Sequence, residues 1–266
     1  KISELIAAKS NFEDNTKWLP FSVHARDTAG IINRLFNKWI AENVRRRLCA
    51  AIGIESSGNA EAIVCNYCEF IALVHDIGKL TPAFQRKLKD NIQGLADRLL
   101  DAGIDLSDLT QISESPHNIA GQYILKKEFK VAPSTAVIVG AHHGDCSADM
   151  KQCAYDANYY GHGKVNVNEW TQIRAKWMEY ALSVTGFEDV KNLPNPDIAA
   201  QMLITGQLVM SDWIASNTDY FPYIDIEEKL TDEQCEERVR RAWNKLSLKD
   251  SWYADFIADN DSFFEE

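Results

Sequence analysis

The sequence predicts an all-α fold, a helical bundle in a single domain, and two observations predict it. Apolar residues recur at three- and four-residue steps over eight runs, near residues 22–48, 61–77, 83–102, 117–129, 134–143, 168–184, 197–217 and 231–245, the spacing of helices that bury one face. Strand-like alternation is rare, and no repeat or low-complexity tract breaks the pattern.

In the first run His24 keeps step with Thr28, Ile31, Leu35 and Trp39, which puts it on the core-facing stripe. In the second, His75 continues the stripe of Ile63, Tyr67, Phe70, Ile71 and Val74, and Gly78 supplies the helix stop. Cys65 and Cys68 form a C-x-x-C inside this helix; with no second pair to complete a zinc set, they read as packing thiols. In the run 134–143, Val137-Ile-Val139 has strand-like branching, yet Pro133 at a helix start and the step from Ala136 to Gly140 to His143 favour a helix. Residues 144–168 lack helical period and read as a long loop, with His162 exposed in it. Asp197 is placed to cap the next helix, where Asp212 keeps register with Met202, Thr205, Leu208, Val209 and Ser216 and faces the core. The domain is expected over 1–246, and 247–266 turns acidic and aromatic, as a tail or a linker to a missing domain.

With 266 residues the chain can build a full core without disulfides, and its six cysteines show no framework spacing. The start at Lys1 suggests a fragment or a processed chain, and the absence of an 18-residue apolar run or a signal peptide suggests a cytoplasmic protein with no membrane partner. A net charge of −11 argues against long phosphate tracks. The short basic stretches Arg45-Arg46-Arg47 and Arg86, Lys87 and Lys89 read as solvated helix faces.

Chemistry concentrates in the histidines. His24, the pair His75-Asp76, His117 and the pair His142-His143, with Asp212 downstream, offer imidazole and carboxylate, the ligands of a catalytic first-row transition metal. A buried carboxylate at Asp212 is stable only with a cation, hydrogen bonds or a proton to compensate it. Any one of these histidines alone reads better as a hydrogen-bonded core residue. Five of them with two acids reverse that preference.

This ordered set is similar to that of the HD phosphohydrolase superfamily. Within it, Leu73-Val-His-Asp-Ile-Gly-Lys-Leu-Thr-Pro-Ala-Phe-Gln85, Gly140-Ala-His-His-Gly144 and Val209-Met-Ser-Asp-Trp-Ile-Ala-Ser-Asn217 followed by Phe221 resemble the HD nuclease domain of the Cas3 family of CRISPR type I effectors, from about Trp18 to Phe221. The resemblance implies an HD-domain bundle with two divalent ions, one held by His24, His75, Asp76 and Asp212, the other by Asp76, His117, His142 and His143, with Asp76 bridging. It also implies catalytic roles for Asp76 and for Lys79, which would balance charge on the phosphate, and support from Ser216 one turn beyond Asp212. Fe, Mn, Co or Ni suit the thiol-free ligand set. The implied activity is hydrolysis of single-stranded DNA, with a helicase, fused or separate, and Cascade as partners. Tyr155, Tyr159 and Tyr160 in the long loop are candidates for stacking on bases, and no G-x-x-x-x-G-K-[ST] phosphate loop occurs. Two other readings compete: an HD nucleotidase or cyclic-dinucleotide phosphodiesterase, and a metal-stabilised interaction module without catalysis.

Overall fold

The computed structural model describes residues 4–54, 58–106, 115–144 and 167–251. It begins with a feature the periodicity does not reveal, a three-stranded antiparallel sheet of β1 (Ala7–Ser10), β2 (Lys17–Pro20) and β3 (Ile224–Asp225), in the order β1-β2-β3. Strands of four, four and two residues are too short to display alternation. Everything else is helical: α1 (Phe21–Arg34), α2 (Glu42–Ala51), α3 (Ala60–Val74), α4 (Pro82–Leu88), α5 (Leu95–Asp101), α6 (His117–Lys127), α7 (Pro133–Gly140), α8 (Val167–Thr185), α9 (Ile198–Ser216) and α10 (Asp232–Leu246). α1 packs against α3, α9 and α10, while α7 joins α6 to α9 and α8 covers α3. No helix among the described residues is long and apolar enough to cross a membrane.

The expected elements hold with some corrections. The run 22–48 divides, because the π-helical turn Leu35–Trp39 ends at Ile40 in extended backbone; Trp39 is 42% exposed and leaves the stripe of His24. The run 83–102 divides before Gly94, whose φ of 66° lies in the left-handed region that favours glycine. Val137 to Val139 are helical. Met202 is 72% exposed, so the buried face of α9 runs instead through Ile204, Leu208, Ser211, Asp212 and Ala215. Asp197 caps α9 by accepting from the Ala200 amide at 2.8 Å. Arg45 is not on a solvated face: it is buried, pairs with Glu61 at 2.9 Å and donates to the Ile40 carbonyl at 2.6 Å, stapling α2 to α3. Cys65 and Cys68 are buried, and burial pushes the Cys65 thiol up to about 12, which suits packing rather than reactivity. Of the expected loop, residues 145–166 lie outside the described residues, as do Cys146, Cys153, Tyr155, Tyr159, Tyr160 and His162 and most of the expected tail; 167 and 168 already belong to α8.

Two contacts hold the frame around α1 and α3. Gly78 does not end α3 by a left-handed turn, since the helix stops at Val74 and its φ is not positive. It is needed for close approach: a Cβ there would stand 1.9 Å from the His117 carbonyl oxygen and 2.7 Å from the Gly121 nitrogen, both backbone atoms of α6. α10 is clamped onto α1 by the buried pair of Arg238 and Asp27, 3.1 Å apart, while Arg238 also donates to the Pro222 carbonyl. Burial pushes the Asp27 carboxyl up to about 6, against the opposing pull of Arg238.

Gly78→Ala should therefore lower stability by about 3 kcal/mol or more in urea unfolding, since backbone cannot yield as a side-chain tip would. Gly206→Ala, on a helix position where a Cβ meets nothing within 4 Å, should be neutral or stabilise by up to about 1 kcal/mol. The raised pKa of Asp27 contributes stability that is fully present below about 3.8 and lost as pH rises through about 6. The stability of the native chain minus that of Asp27→Asn should fall across that window, by at most about 1.4 kcal/mol per pH unit; a flat difference would show that Arg238 fully offsets the burial.

Candidate metal centre

The centre is assembled from helix ends. α3 ends at Val74, so its last carbonyls need partners from outside the helix. Trp177 of α8 donates to the Leu73 carbonyl at 2.8 Å, and Nδ1 of His75 meets the Ala72 carbonyl at 2.7 Å. The chain then turns through Asp76 into the 3-10 turn Ile77–Lys79, whose exit is closed by Gln85, donating to the Lys79 carbonyl at 2.9 Å, and by Arg174, donating to the Leu80 carbonyl at 2.9 Å. Thr81 caps α4 and also donates to the Gly78 carbonyl at 2.8 Å.

α7 repeats the device. Nδ1 of His142 meets the Val139 carbonyl at 2.6 Å, three residues back as for His75. In each ring the carbonyl holds a proton on Nδ1, which leaves Nε2 facing inward as the ligand atom. His24 comes from the first turn of α1, His117 from the first position of α6 and Asp212 from the buried face of α9.

All seven expected ligand residues converge, and they divide into two groups. His24, His75 and Asp212 place their ligand atoms within 4.8 Å of one another, as do His117, His142 and His143. Asp76 stands between the groups with one oxygen for each. Its Oδ2 lies 3.3 Å from Nε2 of both His24 and His75, and its Oδ1 lies 3.3 Å from His117 Nε2 and 3.6 Å from His142 Nε2. Asp212 Oδ1 is 3.1 Å from His24 Nε2. Ligands about 2.1 Å from an ion stand roughly 3 to 4 Å apart, so both groups fit a divalent ion.

The polar accounting points the same way. Both Asp76 oxygens and Nε2 of His24, His75 and His142 are buried without a hydrogen-bond partner, a combination that is costly unless an ion completes it. Lys79 touches Asp76 Oδ2 at 2.5 Å as an ion pair, and its Nζ lies 5.4 Å from the Phe84 ring centre. It is 5% exposed and belongs to the centre. Ser216 donates to Asp212 Oδ1 at 3.0 Å.

Electrostatics hold both acids ionised and favour neutral rings at His24, His117 and His143, while His75 carries a proton that an ion would displace. Burial opposes ionisation of Asp76 and Asp212, but His75 and the other facing donors win and hold both carboxyls below their usual range. Burial lowers His24, His143 and His117, the last to about 4, leaving these rings neutral. Burial would lower His75 too, but the carboxylates of Asp76 and Asp212 raise it to about 10. A proton on His75 and the Lys79 ammonium thus balance two buried acids, the charge that a metal ion supplies.

The sequence reading missed Lys9, Phe84, Gln85, Arg174 and Trp177. Phe84 stacks edge-on to His117 with ring centres 5.2 Å apart, and the next residue, Gln85, is fully buried. Gln85, followed by the basic Arg86 and Lys87, did not announce its burial, and Lys9 and Arg174 gave no signal because their partners lie 207 and 94 residues away.

Comparison with known proteins agrees with this geometry. The family described as Cas3, HD domain matches residues 8–221. The CRISPR-associated nuclease/helicase Cas3 of Streptococcus thermophilus is 33% identical over 272 residues, covering 96% of this chain and 29% of its own length. The chain thus spans under a third of that curated relative. Among solved structures, a CRISPR-associated protein superposes with a TM-score of 0.74 at 24% identity, covering 94% of this chain and 28% of its own. T. fusca Cas3-ATP gives 0.64 at 17%, covering 92% and 27%. The Thermus thermophilus cas3 HD domain in the presence of Ni2+ gives 0.53 at 19%, covering 93% and 92%. These three likenesses show the shared fold, and the family match shows the membership: this chain belongs to the Cas3 HD-domain family.

Proposed function

We propose that the chain is a metal-dependent nuclease domain that hydrolyses phosphodiester bonds at a two-ion centre and takes single-stranded DNA as substrate. The observation that carries this reading is the division of Asp76, with Oδ2 turned to His24 and His75 and Oδ1 to His117 and His142. Two divalent ions held this way would acidify a water, orient the scissile phosphate and stabilise the leaving oxygen. His24, His75, Asp76 and Asp212 are the proposed ligands of one ion, and Asp76, His117, His142 and His143 of the other. Ser216 orients Asp212, and Lys79 keeps a fixed positive charge beside Asp76 to balance the phosphate. Mn, Fe, Co or Ni suit the imidazole and carboxylate set, and the relative from Thermus thermophilus was solved with Ni2+ present.

The centre opens at one end. His24 and His75 are fully buried, whereas the His117 side chain is 20% exposed and His143 is exposed. A phosphate must enter past His117 and His143 into a recess, which a flexible strand does more readily than a stiff duplex. Among the described residues, two cations near the centre are already engaged: Lys87 donates to the Ser115 carbonyl and Lys79 is held by Asp76. With a net charge of −11, the domain needs another body to deliver the strand. A helicase, fused or separate, at a target held by Cascade fits this division of labour, since the Streptococcus thermophilus relative is named a nuclease/helicase.

Asp76→Ala would strand the buried Lys79, so Asp76→Asn is the cleaner test. It should retain the helical circular dichroism, bind neither ion in anomalous diffraction, and cleave circular single-stranded DNA at least 100-fold more slowly. His142→Ala and Asp212→Ala should each empty mainly one position. Native turnover by Asp76→Asn at matched metal occupancy would reject the bridging role. Cleavage of a blunt duplex should be at least tenfold slower than cleavage of the same sequence as a single strand. Equal rates would mean that the recess does not select, and potent inhibition of DNA cleavage by a mononucleotide substrate would favour a nucleotidase.

A further inference from the structure

β1 runs along the edge of the metal centre, and three features aim one of its side chains inward. Gln85, the fully buried residue that also holds the Lys79 carbonyl, grips the backbone of Ala7 from both sides: its Oε1 accepts from the Ala7 nitrogen at 3.0 Å and its Nε2 donates to the Ala7 oxygen at 2.9 Å. Between Ala7 and Lys9 the pairing with β2 slips, Ala7 facing Pro20 and Lys9 facing Leu19, so Ala8 is an extra residue. Such a bulge turns the next side chain out of the strand's regular alternation. Lys9 accordingly reaches away from the sheet, and its Nζ donates to Ser216 Oγ.

An ammonium has only donors, so Ser216 Oγ must accept from Lys9 and has its one proton left for another partner. That partner is Asp212 Oδ1, at 3.0 Å. We infer that Lys9 is a positioning residue of the metal centre: it fixes the direction of the Ser216 hydroxyl, and through it the Asp212 carboxylate that faces His24 and His75. The inference rests on reading the seven residues as metal ligands. It extends the site to a strand 203 residues from Asp212.

Calorimetric titration of the whole chain with Mn2+ tests the inference. The native chain should take two ions. Lys9→Met, which keeps the stem and removes the ammonium, should weaken one of them by about 10- to 100-fold, as loss of an outer hydrogen bond to a ligand does, and leave the other within about twofold. Lys9→Arg should regain most of the loss. In a Ser216→Ala background, which should weaken the same ion, Lys9→Met should add less than about twofold. Additive losses, unchanged Mn2+ binding in Lys9→Met, or a rise in KM for an oligonucleotide with Mn2+ affinity intact would each overturn the inference, the last by assigning Lys9 to the strand. Loss of both ions together with a lower melting temperature of the metal-free protein would overturn it as a mere folding contact. A native chain that takes up no Mn2+ would sink the metal-centre reading itself and the inference with it.

Discussion

One carboxylate governs this structure. Asp76 is 1% exposed, with both oxygens buried and surrounded by imidazole nitrogens. A charge in that setting is tolerated only with positive partners close by, and the surrounding elements are placed to provide them. α3 delivers Asp76 at its end, α1 and α6 bring histidines to opposite oxygens, and the 3-10 turn returns Lys79 to the same group. The fit of Gly78 against α6 follows from this arrangement, because the turn that carries Asp76 must lie directly on the backbone beside His117.

The scaffold solves a second problem with the same atoms. Helix ends expose carbonyls that a dry interior cannot leave unmet. Here the histidines at the ends of α3 and α7 meet those carbonyls with Nδ1. Capping and ligand orientation are one interaction, so helix termination and metal geometry cannot be altered separately at His75 or His142. Arg174 extends the logic outward: it pairs with Glu128 at 2.9 Å while holding the Leu80 carbonyl, tying α8 and the end of α6 to the loop behind Lys79.

How much of this was legible in the sequence differs by range. Helices with a strong apolar period were placed within a residue or two: α6, α8, α9 and α10 end close to where periodicity put them, and Thr231 closes a capping box at α10, while α3 stops three residues short of its expected run. His24, His75 and Asp212 were legible because imidazole and carboxylate on core-facing stripes are rare and expensive, and Asp76, His117, His142 and His143 joined them through the ordered pattern that resembles the family. What was hidden is non-local. The sheet joins residues 17 and 18 to 225 and 224, the break after Trp39 depends on a turn that no Gly or Pro announces, and Arg45 looked solvated until Glu61 came into view across the α2–α3 contact. Gly78 was noticed for the wrong reason, since its need for space is set by α6, a neighbour in space rather than in sequence.

The unequal burial of the two ligand groups carries a consequence for traffic. The group of His24, His75 and Asp212 lies at the closed end, and the group of His117, His142 and His143 lies at the mouth. With ions in both groups as proposed, one arriving past His117 and His143 would meet the outer group before the inner one. The outer position would then exchange with solvent sooner than the position beside the fully buried His24 and His75.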